Sequence, residues 1–338
     1  MASRIGMLFL AAAIIAAPTI GRADEPLVLR FATTGPLTSL VYLRGIQPWV
    51  KLVENDSTGS VEIKMFPGGQ LADAAHIYDA TVSGVADITS GTYGPISSDF
   101  PRTLVTTLPF ENRNTYEATL ALWRLIERGP IAEEYGRVKP IVVYVFPDTR
   151  LHTNKPVKTL EDVAGMKLTA STRVVNQTVV MLGAVPISMP PNDIYQAMQR
   201  RLVDGAATAW TAVYPFKLDE VSTYHYETSL GMEPGFIFMN KATYARLSEK
   251  LRQAVDRHSG EVMAKKMGDA IAVMEQEGRD RVKALPGHTI AEMPTPEAER
   301  WRTRIAPVID EWAKRTPDGT AVLAAYRAEL AKIRSEQR

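Results

Sequence analysis

Two arginines carry the chemistry most worth placing. A guanidinium is planar, permanently charged and offers paired donors that match a carboxylate, so it is the side chain suited to hold an anion in a cleft. Arg150 follows the apolar run Lys139-Pro140-Ile141-Val142-Val143-Tyr144-Val145-Phe146, and Arg173 stands near the start of a helical pattern, where backbone amides also favour an anion. Each has a competing reading: Arg150 as an inter-domain ion pair, Arg173 as a solvated residue of a first helical turn. Trp210 and Tyr214 share one loop. Such an aromatic pair beside a carboxylate anchor suits a ligand with an apolar or ring-shaped body, although packing of Trp210 between domains accounts for it equally well.

Catalytic chemistry finds little to work with. The chain has no cysteine, which excludes disulfides, thiolate nucleophiles and zinc–thiolate sites together. His76, His152, His225, His258 and His288 read as isolated, with no pair at the spacing of a helical metal site. His152 reads as a surface residue near the crossover between domains. No nucleophile elbow, phosphate loop or dinucleotide turn occurs. Asp204, in Val203-Asp204-Gly205, is assigned to capping a turn. No catalytic residue, no metal ligand and no cofactor is expected. The alternative of a periplasmic hydrolase on an α/β scaffold lacks a recognisable nucleophile–base pair.

The elements that must position these residues alternate. Residues 27–33 read as a strand, 36–55 as a helix, 61–66 as a strand, 73–83 as a helix closed by Gly84, and 86–89 as a strand. Residues 139–146 read as a buried central strand. Beyond them come a strand at 166–168, a helix at 174–182 stopped by Gly183, a strand at 186–189, a helix capped by Asn192 with Ile194, Ala197, Met198 and Leu202 on its apolar face, and a strand at 203–207. Strand–helix alternation predicts an α/β fold with mainly parallel sheets. In such sheets ligands bind beyond the carboxyl ends of the strands, so the loops at 33–36, 90–95 and 207–210 are expected to face one crevice. Residues 242–284 form a very long helical pattern interrupted by Gly260, Gly268 and Gly278, read as a brace spanning domains. Two amphipathic helices follow, 297–315 with Pro307 inside and 321–334.

Residues 1–23 read as a secretory signal peptide, with Arg4, an apolar stretch at 7–17 and Gly21-Arg22-Ala23 at the cleavage site. The apolar stretch is short of the roughly 20 residues a membrane span needs. Cleavage removes Arg4 and Arg22, taking the formal charge from +1 to about −1. That balance provides no footprint for nucleic acid.

Order and spacing across residues 27–315 resemble the solute-binding proteins of tripartite ATP-independent periplasmic (TRAP) transporters, the DctP-like family. The resemblance is carried by Leu160-Glu161-Asp162 before Gly165-Met166-Lys167-Leu168, by Leu182-Gly183-Ala184-Val185-Pro186, and by Tyr195-Gln196-Ala197 leading to Val203-Asp204-Gly205. Phe66-Pro67-Gly68-Gly69-Gln70-Leu71 upstream and Phe236-Ile237-Phe238-Met239-Asn240-Lys241 downstream extend it. It implies a two-domain periplasmic binding fold, with residues 26–147 plus 234–273 as one domain and 148–233 plus 274–338 as the other. It further implies a monomeric periplasmic receptor for a small-molecule carboxylate, with the small and large TRAP membrane subunits as partners. The expected solute is a monocarboxylate with an apolar or aromatic body, or the C4-dicarboxylate common in the family.

The resemblance also assigns positions. The usual arginine after the Gly165-Met166-Lys167-Leu168 strand is replaced by Thr169, which leaves Arg173 and Arg150 as substitutes; Arg150 lies near a second ligand arginine of sialic-acid-binding members. Thr208 stands where an Asn commonly meets ligand, and Thr92 and Tyr93 match a ligand loop of the first domain. Tyr42, Phe236 and Met232 complete the lining candidates. For Thr92, Tyr93, Tyr42, Phe236 and Met232 the general tendency to burial favours core packing.

Overall fold

The computed structural model describes residues 26–170 and 172–337; the signal peptide expected at 1–23 lies outside the described residues. Among them the strands are β1 (Leu27–Thr33), β2 (Val61–Phe66), β3 (Ile88–Thr92), β4 (Val138–Asp148), β5 (Arg150–Thr153) and β6 (Lys167–Thr169). β7 (Val185–Ile187), β8 (Gly205–Thr208), β9 (Tyr224–Glu227), β10 (Met232–Asn240) and β11 (Thr289–Glu292) follow. They form a five-stranded sheet, β2-β1-β3-β10-β4, and a six-stranded sheet, β11-β9-β5-β8-β6-β7. Both are mixed. The pairs β1–β2, β1–β3, β6–β7 and β6–β8 run parallel because a helix or long crossover returns the chain each time. The antiparallel strands cluster where the chain passes between sheets: β4 and β10 in the first, β5 and β9 in the second.

The apolar run expected in a sheet centre is instead an edge strand. Helices Thr115–Arg128 and Gly260–Lys283 pack over β4 and bury Ile141, Val142, Val143 and Val145, so the run is apolar because helices cover it. Opposite Val145 the ladder meets Pro234, which has no N–H. Val145 turns to the helix: its N–H donates to Thr119 Oγ1 at 2.9 Å and its carbonyl accepts from the Thr115 hydroxyl.

The first expected helix starts later, as a π-helical turn at Tyr42–Ile46 followed by an α-helix at Gln47–Asp56. Pro48, which has no N–H to donate, follows directly on the π-helical turn within this continuous helical stretch. Asn192 lies within the first turn of helix Pro191–Gln199, behind Pro190, and is not its cap. Leu202 lies beyond that helix and is exposed.

The long helical pattern divides into Lys241–Arg246, Glu249–Arg257 and Gly260–Lys283. Ser248 caps the second, its Oγ accepting from Leu251 N at 3.3 Å, and Gly260 at φ +72° turns the chain into the third. The last piece, 24 residues, is about 36 Å long and spans both sheets' domains as the brace. Its glycines allow close approach on each side. A Cβ on Gly268 would lie 3.1 Å from Tyr116 Cα, and one on Gly278 would lie 2.6 Å from the Trp210 carbonyl oxygen.

The main apolar core lies under the first sheet, with two smaller clusters about the second. Helix Thr295–Arg315 joins them, placing Trp301 and Ile305 in a second-sheet cluster and Val308 and Trp312 in the main core. Helix Gly319–Glu336 continues into the main core through Val322, Tyr326, Leu330 and Ile333.

Candidate functional site

Two chain segments pass between the sheets side by side, Asp148-Thr149-Arg150 outward and residues 228–231 on the return. They are tied together: Thr149 N donates to Gly231 O at 3.0 Å, Gly231 N to Asp148 Oδ1 at 3.0 Å and Thr228 Oγ1 to Thr149 O at 2.9 Å. Gly231 is required here. Its φ is +112°, and a Cβ would fall 2.0 Å from the Thr107 carbonyl oxygen.

Arg150 opens β5 directly across the antiparallel ladder from Thr208 of β8, so both side chains leave the same face of the sheet. The guanidinium is enclosed by acids: Nε donates to Glu227 Oε2 at 2.5 Å, one terminal nitrogen donates to the Thr228 carbonyl at 2.5 Å, and Asp148 Oδ2 is 3.5 Å away. Burial works against its charge, but Asp148, Glu227 and Glu275 overcome that and hold its pKa above the ordinary value. Glu227 also accepts from Trp210 Nε1 at 3.2 Å and from Arg279 Nε at 2.8 Å, and Arg279 reaches on to Glu292 at 2.7 Å. From the brace, Glu275 Oε2 accepts from Thr211 N at 3.0 Å. Its other oxygen, Oε1, is buried without a hydrogen-bond partner. Burial pushes the Glu275 carboxyl up to about 7 even though nearby Arg150 pulls it down. Burial likewise raises Asp148, against the same arginine.

The histidines correct the sequence reading. His152 is fully buried, and three of the five join in a chain, His152 Nδ1 to His225 Nδ1 at 2.8 Å and His225 Nε2 to His288 Nδ1 at 3.0 Å. Their scattered positions concealed that β5, β9 and the entry to β11 are sheet neighbours. One end fixes every tautomer. His152 Nε2 lies 3.2 Å from the Thr208 carbonyl, which can only accept, so this nitrogen carries the proton and Nδ1 must accept from His225 Nδ1–H. His225 Nε2 then accepts from His288 Nδ1–H. Burial holds His152 well below its usual range and, with His288 adding to it, takes His225 down to about 4. The rings of His152 and His225 pack on Trp210 at 4.7 and 5.0 Å between centroids. Among the described residues no group of three or more His, Cys, Asp or Glu could hold a metal ion.

The remaining candidates divide. Trp210 is buried within this seam and Thr208 is half-buried beside it, so Arg150, Thr208 and Trp210 come together. Tyr214 is half-exposed with the Arg281 guanidinium 3.4 Å over its ring. Thr169 is buried at the end of β6, opposite Ala206 and Ile187. Arg173 is exposed at the first position of helix Arg173–Met181, where Thr172 Oγ1 caps Val175 N at 3.2 Å. With Asn176, Gln177, Val180, Met181 and Glu311 it lines an open hollow of about 550 Å³, away from the Arg150 seam. Thr92 is half-buried at the end of β3 and Tyr42 is buried in the π-helical turn.

Three lining candidates prove to be core. Tyr93 and Phe236 have no exposed surface. Tyr93 donates to or accepts from Tyr135 OH at 3.0 Å and sits edge-on to Phe100 and Phe236, while Phe236 stacks on Phe238 at 4.2 Å. Residues 236 and 238 share a strand face, so the ring meant for a ligand joins the one below it. Met232 is buried too, with its carbonyl accepting from Thr106 Oγ1 at 3.0 Å. Asp204 is structural but not as a turn cap: Oδ2 accepts from Lys167 N at the start of β6 at 2.9 Å and Oδ1 pairs with Lys155 at 2.9 Å, tying the residue before β8 to distant segments. Sequence reasoning missed Glu227, Glu275 and Arg279. The signal available was the i, i+4 pair Glu275–Arg279 in a long helix otherwise needed only as a brace.

The model of the family described as bacterial extracellular solute-binding protein, family 7 (DctP), matches residues 31–316. The C4-dicarboxylate-binding periplasmic protein DctP of Rhodobacter capsulatus is 25% identical over 340 residues, 97% of this chain and 98% of that protein. A TRAP solute-binding protein from Rhodoferax ferrireducens T118, solved with copurified benzoate, superposes with a TM-score of 0.87 at 28% identity, covering 92% of this chain and 100% of that one. A marine metagenome TRAP solute-binding protein specific for aromatic acid ligands, solved with 3-hydroxybenzoate, gives a TM-score of 0.86 at 25% identity over 91% and 99% of the two chains.

Proposed function

The chain belongs to family 7 of the bacterial extracellular solute-binding proteins, the DctP family of TRAP transporters, and from that premise we propose that it captures a monocarboxylate with an aromatic or apolar body. It is a receptor and not an enzyme. The observation that carries the ligand class is the meeting of Arg150, Thr208 and Trp210 at the crossing between sheets: a guanidinium for the carboxylate, a hydroxyl for orientation and an indole for the body. The aromatic acids held by the two solved relatives support it.

The lobes are residues 26–147 with 234–273 and 148–233 with 274–338, except that the C-terminal helix Gly319–Glu336 packs its apolar face into the first lobe's core. Ligand bridges them and stabilises the closed form through contacts the open form lacks. Arg173, which opens onto the separate hollow beside helix Arg173–Met181, is the alternative anchor, with Thr169, Tyr214, Thr92 and Tyr42 as the further lining candidates. The protein works in the periplasm as a monomer, after export by its signal peptide, and delivers its cargo to the small and large TRAP membrane subunits. A C4-dicarboxylate is the second reading, favoured by the Rhodobacter capsulatus relative.

A thermal-shift screen of benzoate, 3-hydroxybenzoate, aliphatic monocarboxylates and succinate against wild type, Arg150→Ala and Arg173→Ala tests this. Stabilisation by aromatic acids that Arg150→Ala abolishes is expected. Equal stabilisation of both variants together with wild type removes the anchor, and stabilisation by succinate alone moves the ligand to the second reading.

A further inference from the structure

The Glu275 carboxyl faces the first turn of helix Trp210–Val213, where the Thr211 and Trp210 amides both lower its pKa, yet only Oε2 reaches full hydrogen-bond geometry. The brace needs Gly268 and Gly278 for close approach and its apolar face for packing, and Glu275 Oε2 already caps the Trp210–Val213 turn through Thr211 N. Oε1 is left buried and unpaired, an unfavourable state unless something fills it.

The charges around it make the point sharper. Arg150 faces it from β5 and Glu227 from β9, while Asp148, at the end of β4, faces Arg150. On its own helix Arg279 is committed to Glu227 and Glu292, and Glu277 is paired with Arg44 of the π-helical turn at 2.7 Å. His152 and His225, behind Trp210, are neutral near pH 7. Four carboxylates, Asp148, Glu227, Glu275 and Glu292, thus answer two guanidinia, Arg150 and Arg279. An organic anion arriving at Arg150 enters a seam already rich in acid. It is accommodated if one carboxylate gives up its charge, and Glu275, the only one of the four with a buried unpartnered oxygen among the described residues, is placed to do so.

Resting on the reading that Arg150 anchors the captured acid, we propose that Glu275 contacts that acid directly in its protonated form, donating its O–H to the ligand carboxylate, so that capture takes up one proton from solvent and release returns it. No bond to carbon forms or breaks. The proton moves from water to Glu275 Oε1 on binding and back on release, and charge balances because one anion and one proton enter together. Burial has already brought the carboxyl to about 7, so a neighbouring anion raises it further and the proton stays on while ligand is bound.

The sign follows from that rise. Binding is strongest below the free carboxyl's value and weakens as pH climbs above it, by at most about tenfold per pH unit. Titration calorimetry with benzoate at pH 7.5, in buffers of different ionisation enthalpy, counts protons taken up without any variant. About three-quarters of a proton per benzoate is expected from a free carboxyl at about 7, with Kd rising about eightfold from about pH 7.5 to 8.5. Glu275→Gln keeps a donor at the same place and is expected to bind benzoate with a Kd that is flat across that range. Wild type that takes up no proton, or Glu275→Gln that keeps the wild-type pH slope, overturns the proposal while leaving anion capture intact. A protein that binds neither benzoate, 3-hydroxybenzoate nor succinate at any of these pH values overturns both it and the functional reading.

Discussion

Around Tyr93 the interior is filled by rings: Phe100, Tyr135, Phe236 and Phe238 meet edge-on or stacked, and the two tyrosine hydroxyls satisfy each other. Around Arg150, at the crossing between the sheets, a less completely buried seam holds guanidinia, carboxylates and imidazoles, with one carboxylate oxygen unpaired. Burying charge costs free energy that an apolar filling avoids; the first domain pairs its buried charges, as in Asp87–Arg30 and Glu117–Arg334, whereas the crossing leaves a carboxylate oxygen without a partner. The first region is scaffold. The second is where an anion changes the balance.

Substitutions that respect this division have opposite signatures. Phe236→Ala should remove about 3–5 kcal/mol of stability, read by denaturant unfolding, while benzoate Kd in the folded protein stays within about threefold; a lost ligand with stability intact would return Phe236 to the site. Acid should strike the second region first. His225 takes its proton at about 4 when folded and near 6.5 when unfolded. The unfolded chain therefore binds more protons in between, and stability present above pH 6.5 is lost as pH falls towards 4, by up to about 1.4 kcal/mol per unit. Unfolding midpoints of His225→Phe should show a shallower slope through that window than wild type; an identical slope would remove the histidine chain from the balance.

Smaller effects test the contact between the regions. Gly278→Ala drives a Cβ toward the Trp210 carbonyl and should cost about 1–3 kcal/mol. It should weaken benzoate as well, because Glu275 and Trp210 are pushed apart, and an affinity equal to wild type would detach the brace from the site. Thr208→Val should cost about 1 kcal/mol of binding, roughly fivefold in Kd, and almost nothing in melting temperature; the reverse pattern would make the hydroxyl structural.

Alternation of strands and helices was readable from the chain because period and punctuation are local: β1 and β2 fall at the residues expected, and Gly84 closes its helix in the left-handed conformation. Apolarity alone misled at β4, where it cannot distinguish a sheet centre from an edge covered by helices. At Tyr93 and Phe236 the burial tendency that favoured core packing holds, and it is the neighbouring ring that decides. Arg150 and Trp210 were legible as chemistry, but their partners Glu227 and Glu275 come from strands and helices 77 and 125 positions from Arg150, and no spacing rule joins residues across two sheets. The histidine chain was hidden for the same reason.

Calorimetric titration of benzoate into wild type and into Arg150→Met, followed by recovery of the acid, tests capture of an anion at the crossing most directly. One benzoate per chain, recovered chemically unchanged, with affinity falling by about a hundredfold or more in the folded variant, is expected. A variant that binds as tightly as wild type, or an acid that comes back altered, would contradict it.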